Sequence, residues 1–343
     1  MCMWAGYVGN RHAAAVLLEM ERRQEGWCGS YYSGLVTLDN DGFYHDKLIG
    51  NMADLVSRTG VEKFPGTTGL VHSRTNSGGD REWGHPFVGG NEEAMIVAQG
   101  GCGFFPDNAD RVALGDELLD AGFEFRSAFP GKLGTYPQLK NGNSVHTSEI
   151  FAHAFAYFFR RFGDAKEAIR ETFRRVHGES VFAAIFRNIP GAIFVANVNQ
   201  RVVMACDKDG LYMASSSVAI PENALWRLEL PANTIAVARQ MKVEMEYLLT
   251  AAELEIDDIL PLGLETAFLE YVKNHPGQPL EHVADALCLL FRGKPLARCA
   301  VAAYQTAERL LAAGAIHIKV NAVPGVNNVG SVPQVVFFTG IGK

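Results

Sequence analysis

The chain has 343 residues, 48% of them hydrophobic and 20% charged, and a formal net charge of −7. That length exceeds one average domain, the composition is that of a globular chain, and the acidic balance argues against nucleic acid or another polyanion as a general partner. Six cysteines (Cys2, Cys28, Cys102, Cys206, Cys288, Cys299) occur without a CxxC pair. This fits reduced thiols in a cytoplasm better than a disulfide framework or a zinc site.

No apolar run reaches the roughly 20 residues of a membrane helix. The opening residues lack the charged-then-apolar plan of a signal peptide.

The chain opens Met1-Cys2-Met3-Trp4-Ala5-Gly6-Tyr7-Val8-Gly9, and residues 2–9 read as a strand. If the initiator Met is removed, Cys2 carries a thiol and a free α-amine on one residue. A thiol becomes a strong nucleophile as thiolate, and an α-amine titrates at roughly 7.7–8.0, close enough to neutral to act as a base. Nucleophile and base on one residue is a known arrangement for covalent catalysis. Taken alone, Cys2 reads more simply as a packed strand cysteine; the rest of the chain decides.

His12–Glu25 carries Val16, Leu17 and Met20 at helical spacing. Ser33–Leu38 is a strand, turned by Asp39-Asn40-Asp41-Gly42 into Phe43–His45. Lys47–Thr59 reads as a short helix. Gly69–Arg74 is a strand running into the polar loop Asn76-Ser77-Gly78-Gly79, and His85-Pro86-Phe87 reads as a loop. Ala94–Ala98 is a strand ending in Gln99-Gly100-Gly101-Cys102-Gly103. That turn is not a phosphate loop, because no Gly-Lys-Ser/Thr follows.

Asp110–Gly122 reads as a helix. A Ser or Thr within Asn143–Ile150 caps a helix continuing through Phe159. Lys166–Val176 is amphipathic. Strand patterns follow at Phe182–Phe186, Ala192–Asn197, Val202–Asp207, Leu211–Ser215 and Thr234–Arg239. Alternating strand pairs and helix pairs predict an α+β domain with helices stacked on sheets.

The last part differs. Helices are predicted at Leu264–Asn274, Pro279–Leu290 and Leu296–Ala313, then strands at Ile316–Val320 and Gln334–Phe338. This order suggests a winged-helix-like module over 250–343 beside a domain over 1–249. A DNA reader would carry basic residues on the third helix. Leu296–Ala313 has Arg298 and Arg309 against Glu308, so docking or dimerisation is the preferred role. A chain cut near residue 250 is expected to lose a protein contact, or solubility, rather than the catalytic constellation.

Residues 1–240 resemble the glutaminase domain of class II glutamine amidotransferases, members of the N-terminal nucleophile hydrolases, and most of all that of glucosamine-6-phosphate synthase. The Met-Cys-x-x-Ala-Gly-Tyr-Val-Gly start, Ser33-Gly34-Leu35, the Gly69–Gly79 segment with His72-Ser73-Arg74, His85-Pro86-Phe87, Ser148-Glu149-Ile150 and Ala214-Ser215-Ser216-Ser217-Val218-Ala219 carry the likeness in order and spacing.

The resemblance implies an αββα sandwich, no cofactor and no metal. It implies an amidohydrolase acting on glutamine or a related amide and passing ammonia to an acceptor enzyme subunit. Homo-oligomerisation is another option. Cys2 would attack the side-chain amide, Arg74 would fork onto the substrate carboxylate, and an Asn side chain with the following Gly N–H would hold the oxyanion.

Several positions depart from the family pattern. Gln99-Gly100-Gly101 stands where the family has His-Asn-Gly, so Gly101 keeps an N–H while Gln99 or Asn76 would have to replace the oxyanion amide. Asn76 and Ser77 lie in the family's substrate loop. Thr147 replaces the Asp that anchors the substrate α-ammonium. Gly26-Trp27-Cys28-Gly29 lacks a family Arg. Met3 and Trp4 are expected to crowd the nucleophile. Free L-glutamine is therefore expected to be a poor substrate, and the alternative to an enzyme is a weakened or inactive relative that binds an amino-acid-like ligand or a partner protein.

Overall fold

The computed structural model describes residues 2–100, 108–256, 261–291, 299–326 and 329–340. Its organising strand is β1 (Met3–Gly9). Alternation sends Trp4 and Val8 into one core and Ala5 and Tyr7 into another. In chain order there follow α1 (Ala13–Gln24), β2 (Tyr32–Asp39), β3 (Gly42–Ile49), α2 (Met52–Thr59), β4 (Thr68–Arg74), β5 (Phe87–Gly89), β6 (Ala94–Gly100) and α3 (Ala109–Asp120). Next come β7 (Phe129–Pro130), β8 (Asn143–Ser144), α4 (Thr147–Phe162), α5 (Ala165–Arg175), β9 (Ser180–Phe186), β10 (Ile193–Asn197) and β11 (Val203–Cys206). The strands β12 (Gly210–Ala214), β13 (Trp226–Glu229), β14 (Thr234–Arg239) and β15 (Lys242–Tyr247) complete this region.

Two antiparallel sheets form. One has seven strands in the order β13-β11-β12-β1-β4-β2-β3, the other six in the order β15-β14-β10-β9-β6-β5. Trp4, Leu70, Met95, Val97, Val181 and Val195 fill the space between them. Residues of α1 and α2 cover the outer face of the first sheet. On the second, the rings of Phe151 and Phe182 stack at 4.2 Å, joining α4 to β9. The layers are those expected of an αββα sandwich.

Several boundaries differ from the sequence reading. Lys47–Ile49 belongs to β3 rather than a helix; Lys47 is buried there because its Nζ donates to the carbonyl oxygens of Glu82, Gly84 and Pro86 at 3.0–3.3 Å. The helix α2 starts later, at an Asn51–Asp54 capping box. The cap of α4 is His146, whose Nδ1 accepts from the Ser148 N–H at 3.1 Å, not a Ser or Thr. Phe87–Gly89 is a strand. The exposed strands β13 and β15 escaped the sequence reading because half or more of their residues are polar and face solvent.

The tail contains α6 (Leu264–Asn274), β16 (Gln278–Pro279), α7 (Leu280–Cys288), α8 (Cys299–Ala312), β17 (Ile316–Pro324) and β18 (Ser331–Thr339). The predicted start of the third helix, Leu296–Arg298, lies outside the described residues. The expected strand pair is a three-stranded sheet in the order β16-β18-β17.

The tail's core is shared with the first region. Met3, Trp27 and Cys28 pack with Phe268, Leu280, Tyr304 and Phe337. Tyr304 Oη donates to Met3 Sδ at 3.2 Å, and the Val335 N–H donates to the Gly26 carbonyl at 2.8 Å. On α8, Glu308 accepts from Ser216 Oγ at 2.7 Å and pairs with Arg201 at 2.7 Å.

Candidate active site

Antiparallel pairing of β1 with β4 sets Met3 opposite Ser73 and Trp4 opposite His72. This delivers Cys2, one residue before the strand, to the end of β4. Its Sγ lies 3.8 Å from Thr75 Oγ1. A cavity of about 440 Å³ opens there, walled by Cys2, Arg74, Thr75, Ser77, His85, Ala98, Gly100, Arg111, the Gly134–Tyr136 loop and His146–Ser148. A depression of about 580 Å³ near Arg11 and Asp209 has no thiol in its wall.

Burial alone raises the Cys2 thiol. The neighbouring His72, then the amino terminus and Thr75, outweigh it and bring the thiol down to about 6. His72 Nε2 faces the Ala98 carbonyl at 2.8 Å. A carbonyl only accepts, so Nε2 carries the proton and Nδ1, buried and without a hydrogen-bond partner among the described residues, is left as the basic nitrogen. The His72 ring lies 3.8 Å from that of His85, and His146 stacks on Phe87 at 4.6 Å. Burial, then neighbouring His72, His146 and Arg74, hold the His85 imidazole neutral far below its usual range. Burial and then Arg74 do the same to His146.

Arg74 is 2% exposed. Its Nη1 donates to the Gly78 carbonyl at 2.9 Å and its Nη2 to Tyr136 Oη at 3.0 Å. Its guanidinium lies 4.5 Å above the Tyr32 ring. Among the described residues no carboxylate forms an ion pair with it. Arg111 reaches the cavity from α3 and donates to Thr147 Oγ1 at 3.0 Å and to Asn108 Oδ1.

The structure thus brings Cys2, Arg74, Ser77 and Thr147 to one wall. It does not bring Gln99 or Asn76 there. Alternation on β6 puts Ala98 and Gly100 in the cavity and Gln99 on the opposite side, where its Oε1 accepts from Ser215 Oγ at 2.6 Å. Asn76 sits at an exposed position of its loop outside the wall. Gly101 and Cys102 lie outside the described residues.

Met3 and Trp4 do not crowd the thiol: neither lines the cavity, because Met3 turns into the tail core and Trp4 into the sandwich. Sequence reasoning missed His72 as the thiol's partner, although it stands in the quoted His-x-Arg segment. It read His85 only as part of a loop and overlooked Arg111, which has no sequence signal beyond being a cation on a helix.

A cysteine at the start of the central strand of one sheet, in an antiparallel two-sheet sandwich with helices outside both sheets, is the arrangement of the N-terminal-nucleophile amidotransferase fold. Comparison with known proteins agrees. The chain is a homologue of the class II glutamine amidotransferases. It is 24% identical over 217 residues to glutamine–fructose-6-phosphate aminotransferase (isomerizing) of Pyrococcus horikoshii, covering 63% of this chain and 32% of that protein. It is 27% identical over 229 residues to the Tropheryma whipplei protein of the same name, covering 65% and 33%. The match therefore spans about a third of the length of these relatives.

Among solved structures, the fold is similar to that of glutamine phosphoribosylpyrophosphate amidotransferase from B. subtilis, with a TM-score of 0.56, 17% identity, and 73% of this chain and 50% of that one covered. No family model matches the chain. No helix among the described residues is long and apolar enough to cross a membrane, and no group of three or more His, Cys, Asp or Glu among them could hold a metal ion.

Proposed function

We propose that the chain is an amidohydrolase of the class II amidotransferase type, with Cys2 as nucleophile. The observation that carries this reading is the junction, in one cavity, of a thiol ionised near neutrality and a buried arginine with no carboxylate partner among the described residues. The Cys2 thiolate attacks a side-chain amide carbon, forming a C–S bond and moving the C=O π electrons onto oxygen. His72 Nδ1 takes the thiol proton and delivers it to the departing nitrogen, which leaves as ammonia. Where Met1 is removed, the Cys2 α-amine shares that role. Water then cleaves the thioester and regenerates the thiol. Thr75 supplies an N–H to the sulfur and a hydroxyl beside it, and Arg74 orients the substrate through its carboxylate.

We further read residues 250–343 as a winged-helix-like module docked on residues 1–249. The order helix, strand, two helices, two strands supports this, as does the sheet order. Its third helix buries Val301, Ala302, Tyr304 and Ala307 and spends Glu308 on the first region. That favours docking over reading DNA. An acceptor of the released ammonia would be a separate chain or a further part of a longer protein.

The direct test is ammonia release by the Cys2→Ala protein. Turnover is expected to vanish while the circular dichroism spectrum stays unchanged; full activity in that variant overturns the reading.

A further inference from the structure

Arg74 shares one hydroxyl with a loop of the cavity wall, and the steps of amide hydrolysis leave that hydroxyl unused. Residues 131–145 fold back on themselves. The Gly131 N–H donates to the Gly142 carbonyl at 3.0 Å, the Leu133 N–H to Ser144 Oγ at 2.9 Å, and the Val145 N–H to the Pro137 carbonyl at 3.1 Å. Within this loop the Tyr136 N–H donates to the Leu133 carbonyl at 3.1 Å. The Tyr136 ring meets the buried Trp83 edge-on at 4.7 Å and lies 5.1 Å from His146, the cap of α4. Backbone and ring together hold Tyr136 in the wall of the cavity.

A phenol hydroxyl has one proton to donate as well as lone pairs that accept. Tyr136 Oη accepts from Arg74 Nη2 at 3.0 Å. A guanidinium has no acceptor, so the phenol proton points elsewhere, and among the described residues none accepts it. Tyr32, the other tyrosine on this guanidinium, differs: its hydroxyl donates to the Gly79 carbonyl at 2.9 Å. Tyr136 therefore offers the cavity a donor fixed beside the Arg74 cation. A carboxylate is the acceptor that suits both. One of its oxygens takes a guanidinium N–H and the other the phenol O–H, which the guanidinium polarises.

We propose that Tyr136 is a specificity-determining residue: its hydroxyl is the second donor of a carboxylate anchor, beside Arg74, and selects amides that carry a carboxylate. The inference rests on the amide-hydrolysis reading of this cavity and adds to it a residue contributed by the 131–145 loop.

Two amides that differ at one end test it on the full chain: glutaramate, which ends in a carboxylate, and valeramide, which has a methyl group there. Tyr136→Phe removes the hydroxyl and keeps the ring against Trp83 and His146. Its kcat/KM for ammonia release from glutaramate is expected to fall by about tenfold to a hundredfold, the worth of one hydrogen bond to a charged group. The loss is expected in KM rather than kcat, and the value for valeramide is expected to stay. A loop loosened by the substitution would lower both amides alike. An unchanged glutaramate-to-valeramide ratio overturns the proposal, as does a rise, which would mark the hydroxyl as a competitor for Arg74.

Binding is read separately, as protection of Cys2 from iodoacetamide, with the ligand-free alkylation rate expected to be the same in both proteins. Weaker protection by glutaramate in Tyr136→Phe, without turnover in either protein, upholds the anchor and sinks the hydrolysis reading alone. Equal protection by glutaramate in the two proteins, or none in the intact chain at millimolar concentration, overturns the anchor. A ligand-free rate that changes as much as the protection does assigns Tyr136 to the shape of the site instead, and overturns it too.

Discussion

Two thiols flank the start of β1 and meet opposite fates. Cys2 opens to a polar cavity, and His72, the amino terminus and Thr75 together outweigh burial and bring it down to about 6. Cys28 faces the tail, where burial pushes its thiol up to about 12. It packs beside Trp27, whose ring meets Phe337 edge-on at 5.7 Å. The two sides therefore divide the departures from the family pattern. Met3 and Gly26-Trp27-Cys28-Gly29 line the seat of the tail, where Trp27 and Cys28 present apolar surface. Gly100 and Thr147 lie in the cavity wall. Departures that suggest decay when read in sequence fall, by position, at the contact with the tail on one side and in the cavity wall on the other.

The sharpest way to break this contrast is to remove His72. Without that imidazole beside the thiol, burial is left as the dominant influence and Cys2 should titrate like an ordinary thiol or higher, above about 8.5. In the intact protein, iodoacetamide alkylation of Cys2 should rise as pH increases through about 6 and then level off. In His72→Ala the rise should move to alkaline pH, and ammonia release at neutral pH should fall by about two to four decades, the usual contribution of a general base. An alkylation profile that stays in place would show that His72 does not set the thiol.

The tail side is tested by Tyr304→Ala. Tyr304 is fully buried between Met3 and the tail helices. Deleting its ring should lower unfolding stability by about 3–5 kcal/mol, as large-to-small core changes do. It should leave the pH profile of Cys2 alkylation intact. A shift of that profile without loss of stability would mean the tail shapes the cavity and the division is wrong. Since the tail core includes the residue next to Cys2, a chain cut near residue 250 is now expected to lose stability at β1 as well as a contact.

The sandwich was legible because its signals are local. Alternation in residues 3–9 and 94–98 and helical spacing in 13–24 follow from which face is buried. Cys2 and Arg74 were legible because motif order tied them together. Gln99 misled because a one-residue change on a strand reverses the face, and the cavity uses Ala98 and Gly100. His72 and Arg111 were hidden for a different reason. A base and a cation matter through what stands beside them in space, and β1–β4 register and the approach of α3 to α4 are long-range facts. The seat of the tail was hidden in the same way: Met3 and Trp27 read as anomalies until Tyr304 and Phe337 meet them.

The smallest effect concerns the back of β1, between the two sides. Glu21 on α1 is fully buried. Its Oε2 accepts from Gln24 Nε2 at 2.7 Å, and the same amide donates to the Trp4 carbonyl at 3.0 Å. Burial raises the carboxyl from 4.5 to about 8, with the charges of Glu25 and Cys2 acting in the same direction and Gln24 opposing. The folded state thus keeps a proton that the unfolded chain has released between about 4.5 and about 8. Its stabilising contribution is complete below that window, declines as pH rises through it, and has gone above about 8. Within the window the decline is about 1.4 kcal/mol per pH unit. Glu25 is also raised, to about 7, so the total slope mixes the two groups; the difference between the intact chain and Glu21→Gln isolates one. Urea unfolding at pH 6 and pH 7 should show the intact chain losing about 1.4 kcal/mol more than the variant over that step. Equal slopes would mean that Glu21 is already ionised at pH 6, and that the wall behind the nucleophile carries a buried charge rather than a proton.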